Sequence, residues 1–163
     1  MMGRLYAPWR SAYLMGEKTD GCLFCGLGAA GAADDGTNFI LERARAWFVV
    51  INRYPYTTGH VMVVSSRHVE KFTDFTADEG AEMVALLAKC ERAITHAYGP
   101  DGINVGANLG RSAGAGIVGH FHMHLVPRWH GDTNFMSAVG ETRVVSEDLH
   151  ETYQRLARAL KGV

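Results

Sequence analysis

No run of apolar residues in this chain approaches the roughly 20 needed to cross a bilayer, so no membrane span is expected. Strong charge of either sign is also missing. The formal net charge is −1, which leaves no global field to draw the protein onto nucleic acid or a lipid surface. Any anionic ligand must be held by local groups. Cysteine is scarce: three among 163 residues do not make the disulfide framework of a small secreted domain. The first ten residues lack the apolar centre of a secretion signal, and a cytoplasmic location is the default expectation. What remains is an ordinary folding composition, 47% hydrophobic and 20% charged, which excludes a disordered chain. Its length suits one compact domain spanning residues 1–163.

Turn residues and apolar patterning divide the chain. Residues 39–42 and 46–51, rich in β-branched and aromatic side chains, read as two strands joined by a turn at 43–45. A loop bounded by Pro55 and Gly59 leads into a third strand, 60–65. Thr76 and Glu79 form a capping-box pattern, which starts a helix at about Ala77, and Gly99-Pro100 stops it after Tyr98. Residues 103–108 and 120–127 read as the fourth and fifth strands. A last helix over about 146–160 carries Leu149, Tyr153, Leu156 and Leu160 near helical spacing. The stretch 26–36, rich in Gly, Ala and Asp, is expected to be a mobile loop. Together these give an α+β fold: a five-stranded, mostly antiparallel sheet with two main helices. Cys90 falls in the apolar series of the long helix and reads as a small buried hydrophobe.

His120, His122 and His124 alternate with Phe121, Met123 and Leu125. With the period of two in a strand, the apolar residues face the core and the three imidazoles share the other face. One histidine on a polar strand face would mean nothing. Three in register, directly after a loop with five glycines between Gly106 and Gly119, point to a site. Imidazoles could bind a metal or attack phosphorus as nucleophiles. Glycines let backbone amides approach a phosphate closely, so the loop favours a phosphate-handling nucleophile. It is not a Walker A loop, because no Gly-Lys-Ser/Thr follows.

The residues from His120 to Val126 complete the signature His-apolar-His-apolar-His followed by two apolar residues, and the chain resembles the histidine-triad (HIT) proteins. Asn52-Arg53-x-Pro55-x-x-x-Gly59-His60 is similar to that family's ribose loop and its additional histidine, and Asn108-x-Gly110 is a third match. The resemblance covers about residues 22–130. Pro8-Trp9-Arg10 and the stretch from Pro127 to Phe135 resemble a bacterial subgroup described as diadenosine tetraphosphate hydrolases or phosphorylases.

The resemblance implies that His122 attacks the α-phosphorus to give a nucleotidyl-imidazole, resolved by water or another acceptor. His122 must then be neutral, with an acceptor such as a backbone carbonyl holding its other ring N–H. His124 would donate to phosphate or to the leaving oxygen. Asn108, Ser112 and the amides of a loop that includes Gly114 and Gly116 would hold non-bridging oxygens; Asn52 would contact ribose, with His60 beside it. Better-known family members have Gln followed by Ser or Thr where Gly116-Ile117 stands here, which leaves the acceptor, water or phosphate, open. Cys22-x-x-Cys25 supplies two soft ligands at zinc spacing. By the same resemblance, His68 and His120 would complete a structural zinc site. The implied activity is hydrolysis or nucleotidyl transfer on dinucleoside polyphosphates. Phosphorolysis, phosphoramidase activity and non-enzymatic nucleotide sensing are the alternatives. The implied partners are a small nucleotide and a second copy of the chain, paired across the sheet or the first helix. No role follows for His130 beyond a place near the pocket.

Overall fold

The computed structural model describes residues 21–133, 139 and 145–163. The readings at Pro8-Trp9-Arg10 and at Asn134-Phe135 lie outside them. Among the described residues these helices and strands follow in chain order: α1 (Leu23–Ala29), α2 (Asp35–Asn38), β1 (Ile40–Arg43), β2 (Trp47–Ile51), β3 (Val61–Ser65), α3 (Ala77–Tyr98), β4 (Gly102–Gly106), β5 (His122–Arg128) and α4 (Leu149–Lys161). The strands form one sheet in the order β1-β2-β3-β5-β4, each neighbouring pair antiparallel.

β2 and β3 are unbroken apolar runs because both faces of the sheet are covered. Trp47, Val49, Ile51, Val61 and Val63 pack under α3 and α4 with Phe121, Met123 and Leu125. Phe48, Val50, Met62 and Val64 point the other way, beneath Phe24 of α1. α3 begins where the capping box placed it: Thr76 Oγ1 accepts from the Glu79 amide, and the Glu79 carboxylate accepts from the Thr76 amide. Gly99, in the left-handed region at φ 53°, ends the helix. Cys90 is buried as expected.

Two expectations are corrected. The stretch 26–36 is not an open loop: α1 runs to Ala29, followed by a 3-10 turn (Ala32–Asp34) and α2. Phe24, 1% exposed, pins α1 to the sheet. Arg43 donates to the carbonyls of Leu27 and Gly28 at the end of α1 (3.1 and 3.0 Å) while its Nε holds Asp35. Those tertiary contacts outweigh the poor helix propensity of glycine. The fifth strand starts at His122, not His120, because the Phe121 amide is taken by the Val69 carbonyl, outside the ladder.

Candidate active site

The histidines do lie on one face, but two of the three are covered there while His124 is half-buried. His120 and His122 are 2% and 5% exposed. The ring of Phe24 lies across both, with centroids 5.4 and 4.9 Å away. Sequence reasoning missed this residue, although an aromatic side chain between Cys22 and Cys25 was there to be seen.

The hydrogen-bond partners fix the tautomer of each ring. His122 Nδ1 lies 2.8 Å from the carbonyl oxygen of His120. A carbonyl can only accept, so Nδ1 carries the proton and Nε2 keeps its lone pair. His120 Nε2 donates to the Ser65 carbonyl at 2.7 Å, which frees Nδ1 as a ligand atom. For His60, the Tyr56 amide donates to Nδ1 at 3.1 Å, and the Asn52 side-chain amide reaches the same nitrogen at 3.3 Å. The proton of His60 is therefore on Nε2, which donates to His124 Nδ1 at 3.0 Å. His124 in turn carries its proton on Nε2, the one donor left to it. Tyr56 covers this pair, its ring 4.8 Å from His60 and stacked at 30° over His124. The roles of the Tyr56 amide and the Ser65 carbonyl were also missed, because backbone groups leave no signature in a sequence.

Electrostatics keep the rings neutral. Burial, with the neighbouring charges of His124 and His122, lowers the His60 pKa to about 3. Burial and His122 lower that of His124 to about 4. His122 is lowered by burial against the opposing pull of the His120 carbonyl. A neutral ring with an anchored Nδ1–H and a free Nε2 is what attack on phosphorus requires.

Gly59 sets the approach to His60. Its φ is +79°, and a Cβ there would lie 2.8 Å from the Tyr98 ring, so neither the backbone angle nor the space admits a side chain.

Of the other sequence candidates, Asn52 is half-buried, its Oδ1 accepting from the Tyr54 amide. That use leaves it one oxygen lone pair and one N–H for a ligand. Asn108 Nδ2 donates to the Gly114 carbonyl at 3.4 Å and so shapes the glycine-rich turn. Ser112, Gly114 and Gly116 are exposed on that loop. Asn108 and His124 both line an open pocket of about 710 Å³, to which Tyr56, Trp129 and His130 also contribute.

Cys22, Cys25, His68 and His120 come together, their ligand atoms all within 4.8 Å of one another. Cys22 Sγ lies 3.2 Å from His120 Nδ1, and Cys25 Sγ lies 3.3 Å from His68 Nδ1 and 3.5 Å from His120 Nδ1. These three separations lie near the edges, about 3.3–3.8 Å, of a tetrahedron around an ion with Zn–N and Zn–S bonds of usual length. The freed Nδ1 of His120 faces the sulfurs. The donor set fits a closed Cys₂His₂ metal site.

The HIT domain model matches residues 36–131. This chain belongs to the HIT family. An AP-4-A phosphorylase of Mycobacterium tuberculosis is 42% identical over 123 residues, covering 76% of this chain and 63% of that protein. The chain thus spans under two thirds of that relative. The "Protein hit" of Bacillus subtilis is 30% identical over 144 residues, 86% of this chain and 95% of that one. Among solved structures, a Zn-bound histidine triad family protein from Mycobacterium smegmatis superimposes with a TM-score of 0.69 at 25% identity, covering 87% of this chain and 94% of that one. The five-stranded antiparallel sheet with its helices is the HIT fold. Among the described residues, no helix is long and apolar enough to cross a membrane.

Proposed function

We propose that this HIT protein cleaves dinucleoside polyphosphates, of which diadenosine tetraphosphate is the type, through a covalent nucleotidyl-His122. The observation that carries the reading is the anchored tautomer of His122, with Nδ1–H on the His120 carbonyl and Nε2 free. In the first step, a bond forms from Nε2 to the α-phosphorus and the bond to the bridging oxygen breaks. The remaining nucleotide departs as its polyphosphate anion, steadied by the Nε2–H of His124. The ring becomes an N-phosphorylated imidazolium, whose charge the His120 carbonyl holds through Nδ1–H. In the second step an acceptor oxygen attacks the phosphorus, a water acceptor releasing its proton to solvent, and the P–N bond breaks with its electron pair returning to Nε2, which restores neutral His122. Asn52 serves the ribose, and Asn108, Ser112 and the amides near Gly114 and Gly116 serve the phosphate oxygens. A preorganised donor of this kind is worth about 2.7–4 kcal/mol in the transition state.

Inorganic phosphate as that acceptor is the second reading, favoured by the 42% identity to a protein named AP-4-A phosphorylase. Cys22, Cys25, His68 and His120 hold a structural zinc in this scheme, tying α1 to the strand that bears the nucleophile. The Zn-bound M. smegmatis structure supports that assignment. The protein acts in the cytoplasm as one domain, paired as a homodimer through the exposed edge strand β4, where Val105 is 51% exposed.

The test is incubation with diadenosine tetraphosphate, with and without phosphate, and identification of the products. ATP plus AMP indicates hydrolysis; ATP plus ADP that forms only with phosphate indicates phosphorolysis. Full activity in His122→Ala, or no turnover of any nucleotide, overturns the proposal.

A further inference from the structure

The two sulfurs of the candidate metal site are placed to bond to each other. Cys22 and Cys25 Sγ lie within 4.8 Å, and both residues are half-buried rather than enclosed. Cys25 is on the solvent side, its sulfur 3.3 Å from the exposed His68. Cys22 is the N-cap of α1, in extended backbone at φ −83° and ψ 123°, and its side chain makes no capping bond. Side chains three apart on a helix have Cβ atoms about 5–6 Å apart, whereas a disulfide needs about 3.5–4.5 Å. The uncapped first turn has only that small gap to close, and the strain of closing it keeps the bond reducible. The third thiol is out of reach. Cys90 is 2% exposed, in the core on the other face of the sheet.

We infer that Cys22 and Cys25 form a site of reversible oxidation, closing to a disulfide that gives up the metal, an inference that rests on the zinc reading above. Sulfurs that ligate a metal are thiolates, the form that attacks an oxidant. With hydrogen peroxide as oxidant, the Cys25 thiolate attacks one oxygen, the O–O bond breaks and hydroxide leaves, giving a sulfenic acid. The Cys22 thiolate then attacks the Cys25 sulfur, the S–S bond forms and a second hydroxide leaves. Two electrons pass from sulfur to peroxide. One bond thus removes both sulfur ligands together, and the two imidazoles left are half of the usual four ligands. The change stays at one end of α1. Arg43 still holds the carbonyls of Leu27 and Gly28, while the turn carrying Phe24 loses its sulfur tie to His120. Phe24 lies across His120 and His122, so oxidation reaches the ring read above as the nucleophile.

The test exposes the full-length, zinc-loaded protein to hydrogen peroxide and follows zinc with a chromogenic chelator, thiols after denaturation, and intact mass. Bound zinc should be released while titratable thiols fall from three per chain to one. The denatured mass should drop by two hydrogens with no added oxygen, and dithiothreitol followed by zinc should restore the starting state. Cys90→Ala should lose the same two thiols, and peptide mapping should place the bridge between Cys22 and Cys25. Zinc and all thiols retained at peroxide levels that oxidise free glutathione overturn the oxidation site and leave the metal site standing. Sulfinic acids at Cys22 and Cys25, or a bridge between chains, overturn it as well. Wild-type protein that binds no zinc but still forms the bridge overturns the metal site and upholds the oxidation site; protein with neither overturns both.

Discussion

Replacing His60 by Gln should flatten the loss of stability in acid. In the folded chain His60 is neutral, its pKa lowered to about 3 by burial and by the charges of His124 and His122. In the unfolded chain it returns to about 6.5. Between those values the unfolded state binds the extra proton, so stability is fully present above pH 6.5 and is lost as pH falls towards 3. For these two values, linkage gives a loss of roughly 1 kcal/mol at pH 5.5 and roughly 3 kcal/mol at pH 4.5. That is a large part of the roughly 5–15 kcal/mol that holds a domain together. His60→Gln removes the titration while its side-chain amide can still donate towards His124 Nδ1. Urea melts of both proteins at intervals from pH 7.5 to 4.5 supply the comparison, and carboxylates common to both cancel in the difference. The wild-type curve should steepen relative to the variant by about 1.4 kcal/mol per pH unit below pH 6. Parallel curves would refute the claim that His60 is held neutral by its surroundings.

Gly59→Ala should cost roughly 1–2 kcal/mol for the left-handed backbone and about 1–3 more for overlap with Tyr98. In a Tyr98→Leu background only the backbone part should remain, and equal costs in both backgrounds, read by thermal melting, would contradict the contact. Wild-type protein should carry about one zinc per chain, measurable by elemental analysis. Cys22→Ser should lose it and unfold at a lower temperature; zinc-free wild-type protein of unchanged stability would count against the metal site. Phe24→Ala should destabilise by about 3–5 kcal/mol and speed amide exchange in α1 ahead of α3, whereas uniform exchange would deny Phe24 its anchoring role.

Elements whose signals are local were legible in the sequence. Thr76 and Glu79 mark the start of α3 because a capping box is made within four residues. The alternation from His120 to Leu125 separates the buried apolar side from the histidine side for the same reason. α1 was not legible, since a seven-residue helix containing two glycines is held by Phe24 and by Arg43, which comes from another strand. The candidate site divides in the same way. Cys22 and Cys25 announce half of a metal site by spacing, while His68 and His120 join them only through the fold and were named from the family resemblance. The tautomer of His122, on a backbone carbonyl, was expected from its role; those of His120 and His60 were beyond reach. They depend on where the Ser65 carbonyl and the Tyr56 amide lie, and any residue type provides such groups.

His122 takes its orientation from a carbonyl, whereas His124 takes its own from a side chain. A single nucleotide change in the gene can delete the His60 imidazole, but no codon change can delete the main-chain oxygen of residue 120. The orientation of the nucleophile is thus buffered against point mutation so long as the loop before β5 keeps its path, and that of His124 is not. Variation within a population should therefore reach the nucleophile mainly through residues that shape the path, and only amide-to-ester replacement by chemical synthesis can weaken the acceptor itself.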